Sequence, residues 1–108
     1  MVILEVYEYY DEPLLYLAQD GEKHLLLAML AETPERAKQR WLYAPVLEAS
    51  VEDLKQGKMK LYEAFRNPPG GKVLSITTVQ GAIVDSQWID SSALSDTMLP
   101  DPDVSLED

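Results

Sequence analysis

The alternation of apolar and polar positions predicts strands at both ends of the chain and short helices between them. Val2, Leu4 and Val6 fall on one side of a period of two, with Glu5, Tyr7 and Tyr9 on the other, so Val2 to Tyr10 reads as a strand. Asp11-Glu12-Pro13 breaks it, and Leu14 to Gln19 follows as a second strand. Asp20-Gly21 then predicts a two-residue hairpin turn, because a type I′ turn needs positive φ at both central positions. That turn places Leu15 opposite Leu26 and Leu17 opposite His24. The third strand is expected over Glu22 to Ala31. A short buried helix is its alternative, since the run is built of strong helix formers and holds no β-branched residue.

Thr33-Pro34-Glu35 has the chemistry of a helix start, followed by an exposed turn or two. Trp41 to Val46 reads as a strand. Ser50 is expected to cap a short helix running through Gly57, and Lys60 to Arg66 forms a second helix with Leu61 and Phe65 four apart on one face. Asn67-Pro68-Pro69-Gly70-Gly71 stops it. Residues 72–79 and 82–90, rich in β-branched side chains, pair through Gln80-Gly81, with Thr77 opposite Val84 and Val73 opposite Trp88. The expected fold is α+β: an antiparallel β-sheet meander with a short helical pair packed on one face and a C-terminal β-hairpin. The domain is expected to span residues 1–90, with 91–108 as a flexible acidic tail too poor in apolar residues to fold alone.

Composition narrows the chemistry. The 108 residues suffice for one domain with a real core. With no cysteine there is no thiol nucleophile, zinc-thiolate site or disulfide, and the single histidine, His24, precludes a two-histidine metal site within one chain. The formal charge of −10 is unevenly spread. Residues 1–22 and 73–108 hold acids and no base, while all nine bases lie in 23–72. Direct nucleic-acid binding normally needs the opposite sign. The longest near-apolar run, Leu25 to Ala31, is far shorter than a membrane span, and the N-terminus lacks the basic region of a signal peptide, so a cytoplasmic address is expected.

No Gly-x-Ser-x-Gly elbow frames a serine, and Pro68-Pro69-Gly70-Gly71 is not followed by the Gly-Lys-Ser/Thr of a phosphate loop. No catalytic residue, cofactor or metal ligand is therefore assigned. The candidate partner-binding residues are the aromatic and acidic cluster Tyr7, Tyr9, Tyr10, Asp11 and Glu12, the pair Trp41 and Tyr43, and Asp101 and Asp103 in the tail. Aromatic rings beside carboxylates suit a basic protein surface.

Tyr9-Tyr10-Asp11-Glu12-Pro13-Leu14-Leu15, Asp20-Gly21, Trp41-Leu42-Tyr43-Ala44-Pro45-Val46, then Leu61 with Ala64-Phe65, resemble a family of small uncharacterised bacterial domains of unknown function over about residues 1 to 80. The resemblance implies a bacterial cytoplasmic origin and this order of elements, and no activity. The function expected is a non-catalytic acidic interaction module, such as an antitoxin, immunity or accessory protein, that covers a basic protein partner. Alternatives are a small-ligand sensor or enzyme with a cleft lined by Tyr62, Phe65 and Trp41, and an inhibitor that mimics nucleic acid.

Overall fold

Among the described residues six strands follow one another across a single antiparallel sheet in chain order: β1 (Val2–Tyr9), β2 (Pro13–Asp20), β3 (His24–Glu35), β4 (Lys38–Val46), β5 (Lys72–Val79) and β6 (Ala82–Asp90). In this computed structural model residues 2–9, 13–21, 24–35 and 37–100 are described. Between β4 and β5 the chain forms α1 (Glu48–Lys55) and α2 (Leu61–Arg66). The α+β meander with a helical pair on one face and a closing hairpin is therefore the observed fold.

The helices cover one face of the sheet. Val51 and Leu54 of α1 and Leu61, Ala64 and Phe65 of α2 pack on Leu15, Leu17, Leu27, Leu42 and Val73. Two-turn helices do not hold themselves in water, so this burial is what keeps them helical. Phe65 is fully buried at its centre. On the opposite face a second cluster of Tyr16, Ala18, Leu26, Ala28, Trp41, Tyr43 and Ile76 draws, among the described residues, only on strands.

Several expectations need correction. The segment 24–31 is the expected strand, but β3 runs on through Thr33-Pro34-Glu35 where a helix start was expected. Among the described pairs β3 meets β2 only as far as Leu15↔Met29 and β4 beyond it. Thr33 and Pro34 fall in a register irregularity between Glu32↔Arg40 and Glu35↔Lys38, an edge-and-bulge setting that tolerates proline. The β2–β3 connection is longer than the two-residue turn: Asp20 pairs with His24, and Leu17 with Leu27 rather than His24, while Leu15 faces Met29 rather than Leu26. Helix α1 begins at Glu48, so Ser50 lies inside its first turn and is not the cap, a place taken by extended Leu47.

In β1, register shifts at Leu4 and Tyr7 break the alternation, so Val2, Leu4 and Val6 do not share a face. Ile3 and Val6 pair with Ala18 and Tyr16 on the helix-free side. Gln80 (φ 51°) and Gly81 (φ 83°) form the expected tight turn between β5 and β6. One extra residue, Val84, then bulges out, so Thr77 meets Asp85 rather than Val84, and Val73 meets Ile89 rather than Trp88.

The segment after β6 also differs from the expected tail. Ser91–Ala93 and Asp96–Met98 form short 3-10 turns, and Leu94 and Leu99 are buried in the helix-side core. Arg66 fastens this segment to α2. Its guanidinium donates to the Ser91 and Leu94 carbonyls at 2.7 and 3.2 Å and to Asp96 at 2.8 Å. Two scattered leucines suffice because they fill a core already built rather than forming one. The tail residues 101–108 lie outside the described residues.

Candidate functional site

The outer strand β1 and helix α1 build one developed surface feature. Edge strands usually carry charge or proline that discourages pairing. Here Val2, Ile3, Leu4 and Val6 stay 44–64% exposed. Glu5 ties the strand to the helix: its carboxylate accepts from Lys55 Nζ at 2.8 Å and from the Tyr7 hydroxyl at 2.8 Å. The Lys55 hydrogen bond, with Tyr7 second, holds the Glu5 carboxyl below its ordinary range.

Beside this tie a cavity of about 650 Å³ opens between β1, β2, β3 and α1. Leu4, Leu17, Leu25 and Val51 supply its apolar lining, and Glu48 and Glu52 its acidic side. Those two glutamates are four residues apart and so share a face of α1. Leu4 keeps the side that alternation from Val2 gives it, and the extra residue brings Glu5 to that same side, opposite Leu17, where Lys55 reaches it.

On the helix-free face one cross-strand row runs Val6, Tyr16, Ala28, Tyr43, Leu74, Trp88. The Tyr16 ring meets Tyr43 edge-on, with centroids 6.1 Å apart, and tilts against Trp41 at 5.8 Å. The two tyrosine hydroxyls are hydrogen-bonded. A second cleft, of about 270 Å³, lies at the end of the sheet where the chain leaves β4 and enters β5, with Asp20 and Trp88 in its lining.

Among the candidate residues read from the sequence, Trp41 and Tyr43 are buried in the strand-only cluster, and Tyr7 is half-buried on the helix side. Tyr9 ends β1. Tyr10, Asp11, Glu12, Asp101 and Asp103 lie outside the described residues. The cleft imagined between Tyr62, Phe65 and Trp41 is not formed, because Trp41 lies on the opposite side of the sheet from Phe65. Glu48 and Glu52 were not singled out by sequence reasoning. Their signal was an i,i+4 acidic pair opening a helix, which the misplaced helix start obscured. Among the described residues no helix is long and apolar enough to cross a membrane.

The model of a family of unknown function, DUF6575, matches residues 1–103. No curated protein and no solved structure matches the chain.

Proposed function

The chain belongs to that family of unknown function, and from this footing we propose that it is a non-catalytic interaction module that docks a basic protein segment along β1. The observation that carries this reading is the juxtaposition of an exposed apolar edge strand with the Glu48–Glu52 cavity. An extended partner segment can add to the free edge of β1 through main-chain hydrogen bonds. Its alternate side chains then meet the leucine lining and the two carboxylates, so apolar and basic residues in alternation are the matching pattern. The charge of −10 steers such a partner from a distance and rejects acidic competitors. Cytoplasmic antitoxin, immunity or accessory roles all fit a module of this kind.

Selection of peptides from a random library on the immobilised protein tests the reading. Enriched peptides are expected to carry Lys or Arg next to aliphatic or aromatic residues, and to bind more weakly when Glu48→Gln and Glu52→Gln are combined. Association should slow as salt rises, since exposed charges are screened within about 10 Å at 0.1 M. Enrichment without basic residues, or binding indifferent to the double variant, would overturn it.

A further inference from the structure

The cleft at the end of the sheet is almost wholly hydrocarbon: Leu26, Pro45, Leu47, Leu74 and Trp88 line it, and Asp20 is the charged residue among its described lining. Two features of this cleft are unexplained by packing. Trp88 is 53% exposed, although simple alternation from the Gln80-Gly81 turn would have set it opposite Val73 in the helix-covered core. The Val84 bulge shifts the ladder by one residue, gives that inner place to Ile89, and turns Trp88 to the helix-free face opposite Leu74. A bulge sacrifices ladder bonding, and re-aiming a side chain beside a binding site is one of its recurrent uses. The second feature is electrostatic. Asp20 is exposed, and among the described residues no lysine or arginine lines the cleft.

We infer that this cleft binds a small organic cation, its ammonium head against the Asp20 carboxylate and the Trp88 ring, its hydrocarbon body against Leu26, Pro45 and Leu74. An indole face attracts a cation electrostatically, and does so best among the aromatic rings. The carboxylate supplies the opposite charge that an apolar cleft alone does not. The volume lies at the small end of ligand cavities, which suits an arylalkylamine or a single lysine side chain and not a nucleotide. The inference does not rest on the β1 docking reading: among the described residues the two cavities share only Leu25 in their lining.

The test titrates phenethylammonium chloride into the full chain while the two tryptophan indole N–H signals are followed by NMR, Trp88 being assigned through Trp88→Phe. Phenethyl alcohol is the neutral control, and acetyl-lysine-N-methylamide the second cationic probe. The amine is expected to move the Trp88 signal saturably and leave that of buried Trp41 in place. Asp20→Asn, at an exposed position, should keep the melting temperature and weaken amine binding about two- to five-fold, the scale of an exposed ion pair. Alcohol binding should not change with that variant. Stronger binding of phenethylammonium identifies a free aryl amine as the ligand type, and stronger binding of the lysine probe identifies a partner side chain. Either supports a cation site. No saturable shift at millimolar amine, or equal affinity for amine and alcohol in the unaltered chain, overturns it. If Trp88→Phe fails to fold, Asp20→Asn with the two probes decides the matter alone.

Discussion

Tyr16 and Tyr43 stand on strands separated by β3, and their hydroxyls meet by hydrogen bond across Ala28, the residue that pairs with both. A methyl at that position leaves the space over which the two phenols lean together. Tyr16→Phe should cost about 0.5–1.5 kcal/mol for the lost bond. Ala28→Leu should cost more, about 1–3 kcal/mol or beyond, since it drives the rings off their rotamers. Urea denaturation of both variants checks the order. A neutral Ala28→Leu would mean the rings do not close over that site.

The same pair predicts an alkaline limit. Burial first, then the hydrogen bond with Tyr43, pushes the Tyr16 hydroxyl well above the ordinary tyrosine range. A group that ionises less readily in the folded chain stabilises the fold fully below its unfolded pKa, about 10, and that stabilisation is lost as pH rises through the higher folded value. Stability measured by urea should therefore fall from about pH 10 upward, and less steeply in Tyr16→Phe. Identical slopes would assign the effect to other groups.

Glu5 predicts the opposite limb. Its carboxyl, held low by Lys55 and Tyr7, contributes stability above its ordinary value near 4.5, lost as pH falls through the depressed folded value. The carboxylate is 42% exposed, so solvent screening keeps the contribution small. The sensitive measurement is an NMR titration of Glu5, whose midpoint should rise in Lys55→Gln. An unmoved midpoint would show that the ion pair does not persist in solution.

Phe65→Ala should destabilise by about 3–5 kcal/mol, because the ring is fully enclosed between α2 and the sheet. Against a total stability of about 5–15 kcal/mol, that loss can unfold the chain, so Phe65→Leu serves as the graded companion. A cost below about 1 kcal/mol for the alanine variant would contradict the burial.

Truncation after Asp90 should lower the melting temperature sharply, and Leu94→Ala alone should cost about 2–5 kcal/mol. Arg66→Gln should leave the sheet intact while raising amide exchange over residues 91–99, which it holds through two carbonyls and Asp96. Unchanged exchange there would mean that the two leucines hold the segment without it.

Much of the fold was legible in the sequence because strand alternation and turn glycines are local signals. The Gln80-Gly81 turn, the apolar face of Lys60 to Arg66 and the burial of Phe65 could all be read within a few residues. The errors lie where tertiary pairing overrides local chemistry. Thr33-Pro34-Glu35 has the composition of a helix start, yet an irregular extension of β3 along β4 accepts its proline. The bulges at Leu4 and Val84 leave no mark in composition, yet they determine which face Val6 and Trp88 occupy. The candidate site was accordingly less legible than the fold: tyrosines could be found by type, but the alignment of Glu48 and Glu52 with a leucine-lined cavity depends on the third dimension.

Because each strand neighbours the next in sequence, the order of assembly is largely dictated by chain connectivity. Strands β1 to β4 can zip together through short connections, and β5 with β6 through a tight turn. The two units meet only when residues 47–71 have been closed into a loop, whose entropy must be met before β4 and β5 reward it. The β4–β5 seam, with Tyr43 against Leu74, is then the expected place for the folding barrier. Truncating Leu74 should slow refolding, whereas truncating Ile3 at the outer edge should mainly hasten unfolding.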